Sequence, residues 1–146
     1  MIVELNRATK SDAAEIQRLY KQLVDDSKIN VTEESLNLIS NDKTNFLFVG
    51  KITDKVVATA FVVICLDVMY SNQPFALVEN IVVDSEYRKY GIGSQLMKFI
   101  KDFCKSNLCT KIMLLSSSNR TTAHSFFEKN GYCSDKKKGF VNYINK

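Results

Sequence analysis

The chain has 146 residues, of which 45% are hydrophobic and 25% charged, and a formal net charge of +4. This length and composition are typical of one folded domain with its own core, so we predict a single domain over residues 1–146. The mild positive charge comes without any nucleic-acid-binding motif, which disfavours DNA or RNA as a partner.

The first half of the chain predicts a strand, two helices and a hairpin. A strand over residues 2–8 precedes an amphipathic helix over 11–26, whose apolar residues recur three and four positions apart. Thr32 is the expected cap of a shorter second helix. Two apolar, β-branched segments follow, 46–51 and 56–66, and the short turn between them predicts an antiparallel hairpin.

The second half predicts three further strands and two helices. A strand over 75–83 is followed by a polar turn, a helix from Ser94 and a short strand over 111–115. The last helix is expected to end at Gly131, a residue suited to a left-handed C-terminal cap. A final strand is predicted over 139–144.

A further strand near Tyr132 and Cys133, in addition to that one, is left open. The predicted order is β-α-α-β-β-β-α-β-α-β. It indicates a mixed α+β fold with a mainly antiparallel sheet and one parallel βαβ crossover.

The cysteines and the single histidine do not predict a metal site. Cys65, Cys104, Cys109 and Cys133 form no Cys-x-x-Cys pair, and His124 has no second candidate ligand near it in sequence. The chain shows neither a basic-then-apolar leader nor an apolar run long enough to span a bilayer. We therefore expect a cytoplasmic protein with no membrane partner.

The most informative segment is the stretch that joins the 75–83 strand to the next helix. We call residues 88–93, Arg-Lys-Tyr-Gly-Ile-Gly, the glycine loop. A helix N-terminus offers unpaired N–H groups to a phosphate, and glycine lets the phosphate approach the backbone. The alternative is a simple turn from strand to helix. Neither a Walker A sequence nor the three-glycine dinucleotide fingerprint is present.

The glycine loop resembles the Arg/Gln-x-x-Gly-x-Gly/Ala loop of the GNAT superfamily of N-acetyltransferases. Residues 118–132 resemble a second segment of that family, Asn…Ala-His-x-Phe-Tyr-Glu-x-x-Gly-Phe. The element order is also similar over essentially the whole chain. The resemblance implies acetyl-CoA as acetyl donor and a splayed pair of parallel strands that receives its pantetheine arm.

The resemblance assigns cofactor contacts by position. The strand before the loop would pair its backbone with the pantetheine amides, as an added strand would. The glycine loop and the next residue would hold the pyrophosphate, and the second segment would contact the pantetheine arm. The residues so implied are Ile81, Val82, Val83, Arg88, Lys89, Tyr90, Gly91, Ile92, Gly93, Ser94, Asn119, Ala123 and Phe126. Without the family, Asn119 is equally a helix cap, and Ala123 and Phe126 are core residues.

Glu79 is the candidate catalytic residue. Strand alternation is expected to place it on the same side as Leu77 and Ile81, and a carboxylate among apolar neighbours must be paired, hydrated or used. Amine acetylation needs a deprotonated amine, and a carboxylate suits that work. Many family members carry an acid here in that role. The alternative is a glutamate paired with a basic neighbour.

Phe127 departs from the family pattern, which commonly has a tyrosine that protonates the departing thiolate. Phe127 has no such proton, so another donor or water must serve, with Tyr132 as a candidate. For His124 a packing role is favoured. For Lys136, Lys137 and Lys138 we favour a solvated loop over an attraction for phosphates.

The resulting hypothesis is an N-acetyltransferase in which a primary amine attacks acetyl-CoA directly in a ternary complex. No nucleophile paired with a base appears by motif, which disfavours a covalent acetyl-enzyme. A noncatalytic acyl-CoA-binding module on the same fold is the alternative, and Phe127 favours it.

The acceptor is expected to be a small-molecule amine, with a protein amine and a homodimer left open. Residues 119–132 look most like small-amine acetylators, including aminoalkylphosphonate N-acetyltransferases. Asp25 and Asp26 could attract a cationic amine, although a solvated helix end explains them equally well.

Overall fold

A single five-stranded sheet runs through the part of the chain that precedes residue 115 in the computed structural model, which describes residues 1–145. The strands lie in the order β1-β2-β3-β4-β5, so neighbours in sequence are neighbours in the sheet. The first three pairings are antiparallel, and β4 with β5 is parallel. The predicted mixed fold with one parallel pair is confirmed.

The strands and helices lie close to their predicted positions. The strands are β1 Glu4–Arg7, β2 Asn45–Ile52, β3 Lys55–Cys65, β4 Phe75–Val83 and β5 Ile112–Leu114. The helices are α1 Ala13–Leu23, α2 Glu33–Ser40, α3 Ile92–Ser106 and α4 Thr121–Lys129, with short 3₁₀ turns at Lys10–Asp12 and Ser85–Tyr87. None of the helices within residues 1–145 combines the length and the apolar character that a membrane crossing demands.

Helices α1 and α2 cover one face of the sheet. Their fully buried residues, Ile16 and Leu19 among them, belong to one cluster with Leu47 and Val49 of β2. Burying each such side chain contributes about 1.5–3 kcal/mol. Packing against this face therefore holds α1 in place. Val82 of β4 belongs to the same cluster.

Helix α3 covers the opposite face through an aromatic cluster. Because side chains alternate along a strand, Phe46 and Phe48 point away from Leu47. The ring of Phe48 lies 4.9 Å from that of Phe99 and 5.0 Å from that of Phe103, both in edge-to-face geometry. Helices α1 and α3 therefore sandwich the sheet.

The chain divides into two compact units, Met1–Leu114 and Leu115–Lys146. In the second unit, α4 ends as predicted at Gly131, whose φ is +93°. The Gly131 N–H donates to the Glu128 carbonyl at 3.0 Å and the Tyr132 N–H to the Phe127 carbonyl at 3.1 Å. These two bonds form a Schellman cap.

The predicted strand over 139–144 is wrong, and so is the further strand near Tyr132 and Cys133. Neither segment lies in a strand within residues 115–145. Phe140 is 90% exposed and Ile144 is 83% exposed. Apolar and β-branched residues favour a strand only where a neighbouring backbone pairs with it. The Tyr132 N–H instead donates to the Phe127 carbonyl in the cap of α4.

Arg7 joins the end of α2 to the start of β2. Its Nη2 atom lies 2.7 Å from the Ile39 carbonyl oxygen and 2.9 Å from that of Asn45. The guanidinium carbon also lies 4.4 Å from the centre of the Phe46 ring. A guanidinium that lies over a ring and also donates to several carbonyl oxygens has a role that lysine cannot reproduce.

We expect Arg7→Met to lower the free energy of unfolding by about 1–3 kcal/mol, because partly buried carbonyls lose a charged donor. Urea denaturation measures the change. The control is Lys98→Met, which removes an ion pair with Asp102 whose two side chains are 77% and 55% exposed. That control should change stability by less than about 1 kcal/mol. Equal losses in the two variants would contradict the role of Arg7.

Candidate functional site

A β-bulge interrupts β4 at Asn80. Phe61 of β3 pairs with Glu79 and Thr59 with Val82, so Asn80 and Ile81 together lie opposite Ala60. Asn80 has φ +54°, in the left-handed region that Asn tolerates better than most residues. Burial raises the pKa of Tyr20 on α1, and a side-chain hydrogen bond with Asn80 opposes that shift. The bulge therefore meets α1.

The bulge changes which side chains share a face with Glu79. Leu77 lies on its face as predicted, but Ile81 does not. The extra residue reverses the alternation, so Val82 takes that place. Since Val82 belongs to the core cluster beneath α1 and α2, Glu79 also lies on their side of the sheet.

Glu79 is half-buried. Within residues 1–145, its carboxylate has neither a hydrogen bond nor an ion pair with another side chain. The alternative of a glutamate neutralised by a basic neighbour is therefore not found in the described structure. A half-buried carboxylate of this kind is available to a ligand.

The two parallel strands separate at the same point. The ladder between β4 and β5 runs from Ala76 and Ile112 to Val78 and Leu114. Beyond Val78, residues 79–83 of β4 remain paired with β3 but not with β5. The predicted splayed pair is thus observed: within residues 1–145, no strand pairs with residues 79–83 on the side away from β3, the side to which an extended chain would add.

Helix α3 begins earlier than predicted, at Ile92 rather than Ser94. Gly91 is its N-cap residue, with φ +77° and ψ 8°, and its carbonyl accepts the first helical bond from the Gln95 N–H at 3.1 Å. The left-handed turn at Gly91 lets the helix begin at once, which places Gly93 inside its first turn. N–H groups of a first helical turn have no partner within the helix.

The glycine loop is exposed and basic before that turn. Arg88, Lys89, Tyr90 and Gly91 are all exposed, and Arg88 donates from Nε to the Val83 carbonyl at 3.2 Å. Lys89 has φ +69°, a strained value for a residue other than glycine. Positive side chains and unpaired N–H groups at a helix N-terminus together favour an anion.

Sequence reasoning missed an ion pair that precedes the loop. Asp84 is buried, and Arg18 of α1 donates from Nη1 to its Oδ2 atom at 2.7 Å. Burial alone would raise the pKa of Asp84. The Glu86 amide, Arg18 and Gln22 outweigh it and hold the pKa below the ordinary value. The aspartate following an apolar strand was the available signal, but its partner lies 66 residues away.

The remaining predicted residues lie in the second unit. Asn119 is exposed and Arg120, not Asn119, is the N-cap residue of α4. Ala123 and Phe126 are half-buried. The Phe127 ring centre lies 6.2 Å from that of Tyr132 in edge-to-face geometry, and a proton-donating role of Tyr132 stays a prediction. His124 Nε2 lies 2.9 Å from the Ser117 carbonyl oxygen, a local hydrogen bond between α4 and the turn before it.

The cysteines of α3 and the turn after it are poor nucleophiles. Burial raises the pKa of the Cys104 thiol to about 12, and Cys109 adds to the shift. Burial also raises the pKa of Cys109. Both thiols are therefore protonated at neutral pH. No three or more His, Cys, Asp or Glu side chains are grouped to hold a metal ion anywhere in residues 1–145.

The sequence profile of the Acetyltransferase (GNAT) family matches residues 13–132, which includes the bulge, the splayed strands, the glycine loop and α4. The chain belongs to the GNAT acetyltransferase family. GNAT enzymes typically use acetyl-CoA, and the residues that the resemblance assigned to that donor lie at the features described above.

Among the proteins similar to this GNAT chain are a curated relative and a solved structure that carry the same name. It is 27% identical over 108 residues to a glucosamine 6-phosphate N-acetyltransferase of Arabidopsis thaliana, covering 74% of this chain and 70% of the relative. A solved structure of that name from the same organism superposes with a TM-score of 0.82 at 25% identity, covering 99% and 100% of the two chains.

The fold is shared more widely. An aminoglycoside acetyltransferase from an uncultured soil metagenomic sample superposes with a TM-score of 0.85 at 18% identity, covering 99% of this chain and 97% of that one. The GNAT fold therefore extends over almost the whole chain.

We expect Asn80→Gly to be more stable than Asn80→Ala by about 1 kcal/mol, because only glycine adopts the left-handed bulge without strain. Both variants lose the contact with Tyr20, so their difference isolates the backbone. Urea denaturation gives both values. At a regular strand position alanine is the more stable by about 0.5–1 kcal/mol, so that order would contradict the bulge.

Proposed function

We propose that this GNAT protein transfers the acetyl group of acetyl-CoA to a small primary amine, by direct attack in a ternary complex. The observation that carries the proposal is the position of Glu79. It is a half-buried carboxylate at the bulge where β4 leaves β5, a few residues before the glycine loop.

The chemistry of the residues present fits the donor. The pyrophosphate would be held by the first-turn N–H groups of α3 at Ile92, Gly93 and Ser94, beside the exposed cations Arg88 and Lys89. Residues 81–83, which do not pair with β5, would bond the pantetheine amides, except for the Val83 carbonyl that already accepts from Arg88. Contacts from Asn119, Ala123 and Phe126 stay a prediction from the family resemblance.

Acetyl-CoA supplies an activated thioester carbonyl. Glu79 accepts a proton from the ammonium group of the acceptor, directly or through one water, so that the amine can attack. Helix α1 lies on the same face of the sheet as Glu79, and its Tyr20 forms a hydrogen bond with Asn80. We place the acceptor amine on this face, next to α1. The protonated states of Cys104 and Cys109 agree with direct attack rather than a cysteine-bound acetyl group.

The acceptor class follows from the relatives and stays a proposal. The curated relative is named for glucosamine 6-phosphate, which carries one primary amine on a small polar body. Amino sugars and aminoalkylphosphonates are therefore the first acceptors to test. A protein amine is the second class.

A noncatalytic acyl-CoA-binding role is the alternative that Phe127 favours. A family tyrosine would donate a proton to the departing thiolate, and Phe127 cannot. A coenzyme A thiol resembles cysteine, whose pKa is about 8.5, so it leaves without much help. We therefore retain the enzyme as the proposal.

The decisive experiment is thiol release from acetyl-CoA across a panel of amino sugars, amino sugar phosphates, aminoalkylphosphonates and polyamines. Calorimetry with coenzyme A is run on the same sample. Amine-dependent thiol release supports the enzyme. Coenzyme A binding without transfer to any amine supports the binding module, and no binding contradicts both.

We expect Glu79→Gln to lower turnover at neutral pH by about 10²–10⁴-fold, the usual loss for a general base. The loss should shrink at high pH, where the amine loses its proton to solvent. Steady-state rates with the best acceptor are compared across that pH range. Glu4→Gln, an exposed change on β1, controls for loss of a carboxylate. Unchanged turnover of Glu79→Gln at every pH would show that the residue is structural.

We expect Gly93→Val to bind coenzyme A at least about tenfold more weakly, a change of about 1.4 kcal/mol. Gly93 lies in the first turn of α3 and is not among the residues with positive φ, so valine is compatible with its backbone. The Gly93→Val variant should therefore stay folded, whereas a side chain at Gly91 would strain its left-handed backbone. Lys101→Val, on the exposed face of α3, is the matched control. Wild-type affinity in a folded Gly93→Val protein would remove the pyrophosphate assignment.

A further inference from the structure

Helix α1 is bonded to the start of the segment that leads into the glycine loop. Arg18 donates from Nη1 to Asp84 Oδ2 at 2.7 Å. Gln22, one turn further along α1, accepts from the Ser85 N–H at 2.9 Å and lies 3.4 Å from Asp84 Oδ1. Two side chains of one helix therefore hold two consecutive residues after β4.

Asp84 passes this restraint to the chain that follows. Its Oδ1 atom accepts from the Glu86 N–H at 3.1 Å, and its carbonyl accepts from the Tyr87 N–H at 2.9 Å. Its own N–H donates to the Val57 carbonyl at 2.8 Å. The carboxylate is only 1% exposed, so losing Arg18 would leave this buried charge with only the more distant Lys55, whose Nζ atom lies 4.0 Å from Oδ2.

Arg18 is itself held in place. Its Nε atom donates to Glu15 Oε2 at 2.6 Å and its Nη2 atom to the Val56 carbonyl at 2.9 Å. All three guanidinium nitrogens thus have a partner on α1, β3 or the segment after β4. This differs from a mobile surface ion pair, because the planar donor set is fixed on several sides.

The glycine loop needs such a restraint. Lys89 and Gly91 both have left-handed backbones, with φ +69° and +77°. A strained conformation of this kind persists only where surrounding contacts determine it. The bonds at Asp84, Ser85, Glu86 and Tyr87 end just before the loop begins.

We propose that Arg18 and Asp84 are positioning residues, which fix the glycine loop in its phosphate-binding shape before coenzyme A arrives. The inference rests on the proposed function for its ligand. A loop that is ordered in advance loses less freedom on binding, so the pair acts on affinity. It also couples α1, which carries Tyr20 beside the bulge, to the cofactor side of the protein.

The test compares Arg18→Met, Asp84→Asn and the double variant with wild type. Coenzyme A binding by calorimetry should weaken by about tenfold or more in each single variant, and by little more in the double variant. Turnover at saturating acetyl-CoA should stay within about twofold, because the reacting groups are untouched. Arg18→Lys, which keeps the charge but not the fork of donors, should recover part of the affinity.

Hydrogen exchange in the absence of coenzyme A tests the positioning role directly. Amides 85–91 should exchange faster in Arg18→Met, while those of β2 and β3 should not change. Lys98→Met removes an exposed ion pair of 2.6 Å from α3 and should change neither readout. If Arg18→Met does not fold, Gln22→Leu removes the acceptor of the Ser85 N–H from an exposed helix position.

The outcomes separate the two claims. Wild-type affinity and unchanged exchange in a folded Arg18→Met protein would overturn the positioning role. Absence of coenzyme A binding by wild type would contradict the proposed function, and the exchange experiment would still decide whether Arg18 orders the loop. Faster exchange over the whole chain would mean that the pair only stabilises the fold, which also overturns the inference.

Discussion

The bulge at Asn80 is the constraint on which the site depends. It adds one residue to β4 without adding one to β3, so it reverses the side-chain alternation in the last part of the strand. Glu79 and Val82 then share a face, while the ladder to β5 has already ended at Val78. A regular strand would have kept its alternation and put Ile81 beside Glu79. The bulge therefore decides which side chains lie next to this carboxylate, close to the point where the pairing with β5 ends.

Two different kinds of polar group surround this region, and their energetics differ. Glu79 is half-buried and has no ion partner within residues 1–145, whereas Asp84 is buried and fully bonded. A buried charge is retained only when partners offset its desolvation, and Arg18, Gln22 and the Glu86 amide do this for Asp84. The same contacts lower its pKa and keep it ionised. Glu79 is therefore left for a ligand to pair with, as the proposed general-base role requires, whereas the bonds of Asp84 are already used within the protein.

The sequence pattern correctly predicted those elements that depend only on residues close together in the chain. Helix α1, the β2–β3 hairpin and β4 follow from apolar spacing and turn residues, and the cap at Gly131 follows from the need for a left-handed residue. The bulge was missed although Asn80 is a polar residue in an apolar strand and of a type that tolerates positive φ, because strand alternation alone does not place an extra residue. The pair of Arg18 and Asp84 joins distant parts of the chain and could not be inferred from either residue alone. The 139–144 strand failed because its apolar pattern does not specify a partner strand.

Three residues with a left-handed backbone lie between the bulge of β4 and the start of α3. Asn80, Lys89 and Gly91 all have positive φ, and only the last is a glycine. Each left-handed residue with a side chain costs about 1–2 kcal/mol, so the segment is less stable than a regular turn of equal length. The contacts that offset this cost come from outside it, from Tyr20, Arg18 and Gln22 on α1. Helix α1 is itself anchored by Ile16 and Leu19 in the core. The core packing of Ile16 and Leu19 therefore holds the helix whose Arg18 and Gln22 bond the segment just before the glycine loop, and this is the contact on which the proposed positioning role depends.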